Sequence, residues 1–291
     1  MSSHDPETPR QPLARHLAGP LTDEDAPVLV LSHGITDSAA CWADAVGRWS
    51  ASGYRIVALD ARGHGDSPRW DEGDLADQDT AGARLAADLT DALEDLRAHG
   101  LDGSGPLRAP LIAVGHSMGG VTSLDVAARC PDLLDAVVAE DPAFVTPAWR
   151  RLLALDAVRR VRDMRQVAAD PEARVRLEQA AHPTWPPVEV RASVEASCGV
   201  DLRFIALGCV SPPTPWQEVI DSLAVPTLIV TGTDRVVLRG DNLTNITVRA
   251  NPWISTAVVL GAPHCVRRTF PERFHAVTDP WLAHLPRVRD K

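Results

Sequence analysis

Short apolar runs rich in β-branched residues recur along the chain at residues 27–32, 55–59, 109–114, 134–139, 226–231 and 255–260, and helical patterns fill the intervals. Runs that are apolar throughout, rather than alternating, suit strands buried on both faces. Their alternation with helices predicts one mostly parallel sheet of at least six strands, with helices on both faces. Asp37 or Ser38 is placed to cap a helix running to about Trp49, Thr80 one running to about Ala98, and Pro271 stands in the first turn of the last.

The regularity breaks between Pro142 and about Pro215. Helical patterns at 146–167 and 172–181 are followed by the stiff stretch Pro183, Thr184, Trp185, Pro186, Pro187. Leu152, Leu155, Val158, Val161 and Met164 recur along the first of these, which predicts one apolar face buried against the core. An insertion after the fourth readable strand sits above the carboxyl ends of the sheet, where open α/β sheets bind ligands, and is expected to act as a lid. The expected organisation is a polar N-terminal segment 1–24, an α/β core over 25–141 and 216–291, and a helical lid over 142–215. A chain of 291 residues suits such a single core with an insertion.

Composition removes whole classes of function. The only lysine is Lys291, so a P-loop, a pyridoxal phosphate Schiff base and a lysine general base have no residue to use. Pro68 stands where a dinucleotide fingerprint beginning at Gly63 needs its third glycine, leaving nicotinamide and flavin cofactors without support. Cys41, Cys130, Cys198, Cys209 and Cys265 are odd in number and lack paired spacing, which predicts reduced thiols and no metal site. A net charge of −10 disfavours nucleic acid and anionic membranes as partners. Without an apolar leader or a spanning run of about 20 residues, the expected location is cytoplasmic.

Gly115, His116, Ser117, Met118, Gly119 and Gly120 stand between the strand-like run at 109–114 and a helix-like one at 121–129. A serine between glycines at such a junction makes a turn tight enough to hold its hydroxyl clear of the backbone, and a Cβ at position 115 or 119 would crowd the neighbouring chain. Ser117 is therefore the candidate nucleophile. It needs a base, normally histidine, and a carboxylate to steady the imidazolium that forms. His264 is the only histidine on a loop at a carboxyl strand end downstream of both the serine and the insertion. Two acids compete for it: Asp234 after the penultimate strand, and Asp141 after the strand before. Asp141, preceding Pro142, also has an ordinary role as a turn residue. For the oxyanion, the N–H of Met118 follows the nucleophile, and the sharp bend Ser32, His33, Gly34, Ile35, Thr36 frees the N–H of Ile35. His33 is expected to brace this loop by hydrogen bonds rather than to move protons.

Together these motifs resemble the α/β-hydrolase superfamily from about Pro27 to Leu285: His33 and Gly34 after a strand, Asp60 to Ser67 after the next, the turn at Ser117, and Gly261 to His264. The resemblance implies the α/β-hydrolase fold and the chain order serine, acid, histidine, which favours Asp234; Asp141 is the alternative acid, as in members that carry it on the earlier strand. Members of the family often place the acid three residues after the glycine that ends the penultimate strand, where this chain has Arg235, with Asp234 one residue earlier. The Asp60–Ser67 segment is implied to be a structural loop, giving His64 no catalytic part. Relatives that attack through aspartate and activate epoxides with lid tyrosines, or that use a lysine, do not match a chain with Ser117, no lid tyrosine and no internal lysine.

The reading that results is a cofactor-free serine hydrolase of a small-molecule ester or lactone, working through an acyl-enzyme. Carbon–carbon bond hydrolysis, perhydrolysis and a small-molecule receptor with little turnover are the alternatives, and a homodimer is left open. Arg150, Arg151, Arg159, Arg160, Arg162 and Arg165 are expected to form the solvated face of the lid.

Overall fold

The six apolar runs become parallel strands, and a seventh joins them. In chain order they are β1 (Arg15–Ala18), β2 (Val28–Ser32), β3 (Arg55–Leu59), β4 (Leu111–His116), β5 (Ala136–Glu140), β6 (Thr227–Thr231) and β7 (Ile254–Val258). The structure, a computed structural model, describes residues 11–286. Residues 1–10 of the expected polar segment and Lys291 therefore lie outside the described residues. Sheet order is β1-β3-β2-β4-β5-β6-β7, with β1 antiparallel to β3 and every other pair parallel. Sequence reasoning missed β1 because Arg-His-Leu-Ala has no β-branched residue and pairs along one edge only.

Eleven α-helices accompany the described sheet: α1 (Ala43–Ala51), α2 (Gln78–His99), α3 (Met118–Arg129), α4 (Pro147–Ala169), α5 (Pro171–Ala181), α6 (Pro187–Gly199), α7 (Leu202–Leu207), α8 (Trp216–Ser222), α9 (Gly240–Arg249), α10 (Val266–Thr269) and α11 (Pro271–Ala283). Strand residues alternate between the two faces. Val28, Val30, Leu111, Ala113 and Val137 pack with α2, α3 and α8, while Leu29, Leu31, Ile112, Val114 and Val138 pack with α1 and α11. The long helix starts at Asp77 rather than Thr80: the Asp77 carboxylate accepts the Thr80 N–H at 2.7 Å.

Helices α4 to α7 form the insertion between β5 and β6. The face expected to be buried on α4 is so only at its far end: Val161 and Met164 pack inward, whereas Leu152, Leu155 and Val158 are 61, 78 and 81% exposed. Leu153 and Ala157 join Met164 on the inward side. A spacing of three residues turns only about 300° per step and so winds around a helix of 3.6 residues per turn, whereas the 153, 157, 164 set stays on one face. Gln78 ties the insertion to the core by donating to the carbonyls of Leu207 and Gly208, and Asp201 does so through its N–H on the Gly63 carbonyl.

β2 and β4 lie side by side, Ser32 opposite Gly115, and from β2 the chain crosses to β3 on one side while β4 lies on the other. That reversal places a crevice at their carboxyl ends. There α3 approaches the end of β2 so closely that a Cβ on Gly119 would lie 2.2 Å from the Ser32 carbonyl oxygen, and one on Gly115 would lie 2.4 Å from the Gly119 oxygen. Both obstacles are backbone and have little room to yield. Gly119→Ala is expected to destabilise the protein by about 1–3 kcal/mol or more through forced separation of α3 from β2, read as a lowered thermal midpoint against a Gly47→Ala control, whose Cβ meets open space.

Candidate active site

The turn after β4 forces Ser117 to φ 52°, ψ −112°, a region non-glycine residues seldom occupy. Surrounding backbone holds it there: the Ser117 N–H donates to the Glu140 carbonyl at 2.9 Å, and its own carbonyl accepts from Val121 and Ala143. The hydroxyl is thereby aimed at His264, whose Nε2 lies 3.0 Å from Oγ. On the other side of the ring, Nδ1 lies 2.5 Å from Asp141 Oδ2. These partners assign the neutral tautomer with its proton on Nδ1, leaving Nε2 to accept from the serine hydroxyl.

Asp141 is fully buried, at φ 38° directly after β5. Its carboxylate also accepts from the Thr231 hydroxyl at 2.7 Å and from the Val237 and Leu238 N–H groups at 2.8 and 2.9 Å. With His264 these contacts use all four acceptor positions of the carboxylate. Asp234, the acid favoured from chain order, is elsewhere. Its half-exposed side chain faces Arg235 at 3.3 Å, and its backbone N–H donates to the Ala262 carbonyl. The turn after β6 carries Asp234 outward to solvent, whereas the turn after β5 carries Asp141 under the imidazole. Chain order serine, acid, histidine is kept, with the acid one strand earlier.

The other expected residues lie close by. Met118 begins α3, so its N–H is one of the unpaired donors at a helix N-terminus. Ile35 lines the same cavity as Ser117 and His264, and its carbonyl is fixed by His64 Nε2 at 2.6 Å. Neither the Ile35 nor the Met118 N–H has a backbone or side-chain acceptor among the described residues. His33 braces the loop as expected, with Nδ1 donating to the Gly34 carbonyl at 2.7 Å and Nε2 accepting the Ala61 N–H at 2.9 Å. Burial, aided by the neighbouring His64, lowers its pKa to about 4. His64 faces two carbonyls, those of Arg62 and Ile35, and no reacting group.

Several site residues had no motif to announce them. His116, inside the elbow, lies with its ring 4.6 Å from that of His264 and its Nε2 3.3 Å from the His264 carbonyl. Burial and then the charge His264 can carry push its pKa well down. Arg267 and Arg268, just past His264, are 4% exposed and meet Glu189 of α6, which is completely buried. Arg267 Nη1 reaches both Glu189 oxygens at 2.9 Å, Arg268 Nε reaches Oε2 at 3.2 Å, and the Asp44 N–H donates to Oε1. Arg268 Nη2 also lies 2.8 Å from Asp37. Burial pulls the Asp37 carboxyl upward, but Arg268 and His116 outweigh it and hold it at about 2. The signal for Glu189 was a lone acid between Val188 and Val190.

The cavity over Ser117 has a volume of about 270 Å³. None of the six α4 arginines lines it; Arg150 pairs with Asp79, and Arg159 and Arg160 with Asp156. Cys265 borders it, but burial raises that thiol to about 12, leaving it protonated. His16, Asp60 and Asp66 are the one group with metal-ligand proximity among the described residues. The Asp60 oxygens there are already taken by the Ala39 and Asp66 N–H groups and by His16. No described helix is long and apolar enough to cross a membrane.

A doubly wound sheet with this turn and hydrogen-bonded chain is the architecture of the α/β-hydrolases. A family model described as serine aminopeptidase S33 matches residues 23–242, and the chain belongs to this family of α/β-hydrolases. It is 30% identical over 256 residues, 84% of each chain, to the 2-(acetamidomethylene)succinate hydrolase of Mesorhizobium japonicum. Among solved structures, an E-2-(acetamidomethylene)succinate hydrolase superposes with a TM-score of 0.70 at 21% identity, covering 93% of this chain and 95% of the other. The enol-lactonase of Burkholderia xenovorans does so with 0.67 at 20% identity, over 94 and 96%.

Asp141→Asn is expected to lower the turnover of a hydrolysed substrate by roughly 10⁴-fold, because the amide favours the wrong imidazole tautomer. Asp234→Asn is expected to stay within about twofold, since only an exposed contact is lost; steady-state kinetics of the two variants on one substrate decide. His33 titrates near 6.5 unfolded and near 4 folded. Its contribution to stability is therefore complete above about pH 6.5 and is lost as pH falls through 4, by about 3 kcal/mol. In His33→Gln, the loss of stability between pH 7 and pH 4, measured by urea unfolding, should shrink by about that amount.

Proposed function

We propose that this hydrolase cleaves a carboxylic ester or lactone through an acyl-enzyme, with Ser117 as nucleophile, His264 as base and acid, and Asp141 as the carboxylate that orients the imidazole. The reading is carried by one observation: Ser117 Oγ, His264 and the buried Asp141 form an unbroken hydrogen-bonded chain at 3.0 and 2.5 Å. As Oγ attacks the carbonyl carbon, its proton passes to Nε2, and the imidazolium is stabilised by Asp141. The oxyanion is taken by the N–H groups of Met118 and Ile35, each worth roughly 10²- to 10³-fold in rate. His264 then returns the proton to the leaving oxygen, which from a lactone stays attached to the acyl chain. Water, deprotonated by the same nitrogen, attacks the acyl carbon; the serine leaves and recovers its proton. The relatives named as an enol-lactonase and as a 2-(acetamidomethylene)succinate hydrolase support hydrolysis on this frame, the first of them of a lactone.

Short 4-nitrophenyl esters test this. A burst of nitrophenol close to one equivalent followed by steady release is expected, with both lost in Ser117→Ala; binding of the esters without repeated turnover would assign the site to a receptor instead.

A further inference from the structure

Two guanidinium groups line the cavity that holds Ser117 and His264, and each keeps N–H donors without an acceptor among the described residues. Arg268 from α10 forms part of its wall. It bonds Glu189 through Nε, lies against Asp37 through Nη2 in an ion pair that lacks hydrogen-bond alignment, and sits over the Trp185 ring at 5.2 Å. Its Nη1 has no hydrogen-bond acceptor among the described residues. Arg174 from α5 stands at the rim, bonded only through Nη2 to Glu178 at 2.5 Å. The two carboxylates of this cavity, Asp37 and Glu178, each lie against one of these arginines. Behind the wall Arg267 balances Glu189, and burial favours the neutral form of Glu140, so among the described residues the one unpaired carboxylate beneath the cavity is Asp141, set behind the His264 ring and held by hydrogen-bond donors. Free N–H donors of a guanidinium match a carboxylate in shape and charge better than any neutral acceptor. A volume of about 270 Å³ also lies at the small end of ligand cavities.

We propose that the substrate is a small ester or lactone bearing a free carboxylate, held by Arg174 and Arg268 while its scissile carbonyl lies at Ser117. This rests on the hydrolase reading above and adds the substrate class. On this basis Arg174 and Arg268 set specificity and take no part in proton transfer.

Monoethyl succinate and ethyl 4-methylpentanoate, in which an isopropyl group replaces the carboxylate, separate the possibilities when acid release is followed by pH-stat. The expected kcat/KM ratio of the anionic to the neutral ester exceeds about ten in the native protein. In Arg174→Gln that ratio should fall at least about tenfold, chiefly through KM. Arg174 is half exposed, so this variant keeps the proposal testable even where Arg268→Gln does not fold. A native ratio below one, or a ratio unmoved in Arg174→Gln, overturns the proposal while leaving the hydrolase reading intact. Calorimetry of succinate with Ser117→Ala gives a readout independent of turnover: binding weakened about tenfold by adding Arg174→Gln supports the carboxylate site. Absence of succinate binding overturns it. Succinate binding with no turnover of either ester would retain the carboxylate site and sink the hydrolase reading.

Discussion

The contact of the Gly119 backbone with the end of β2 governs the rest of the site. Because the Ser32 carbonyl leaves no space for a Cβ there, α3 starts directly behind the carboxyl edge of the sheet. Three consequences meet at that point: Ser117 is forced into its strained turn, the Met118 N–H is left at the head of a helix, and the Gly119 N–H ties α3 to the His33 carbonyl. The loop carrying Ile35 and the turn carrying Ser117 are thus held by one another. Strain at Ser117 persists because its N–H and carbonyl are both bonded to neighbouring strands and turns.

Most of this was legible in the chain. Glycine at 115 and 119 and apolar runs at the right spacing carry local signals, and buried parallel strands read as continuous apolar stretches. β1 was not legible, since an edge strand of four residues needs neither alternation nor β-branching. The acid shows a different limit. Asp234 and Asp141 both follow strands, and nothing local distinguishes them; the difference is the direction in which each turn sends its side chain. What separates them is tertiary: the Val237 and Leu238 N–H groups converge on Asp141 from nearly a hundred residues away.

The insertion was legible as helical but not in which side it buries. An apolar spacing of three looked continuous in sequence, yet it winds around α4 and leaves Leu155 and Val158 in solvent. Its arginine content misled in a parallel way. The six arginines of α4 are spent on neighbouring aspartates or solvent, whereas Arg174 and Arg268, which enter the cavity, stand on separate elements almost a hundred residues apart. Clusters in sequence mark faces of a helix; clusters in a pocket are assembled by the fold.

Glu189 joins these halves. Completely buried, it accepts from Arg267 and Arg268 of the core and from the Asp44 N–H at the start of α1, so α6 is keyed to the segment that begins at His264. Removing one partner of such a set leaves a bare buried charge, at a cost of about 3–5 kcal/mol, and this keeps the set whole. Three residues thus separate the imidazole from the guanidinium that lines the cavity. The segment works as a jig: the part that grips and the part that carries protons are cut from one short length of chain. Re-aiming α6 therefore means re-aiming the imidazole with it.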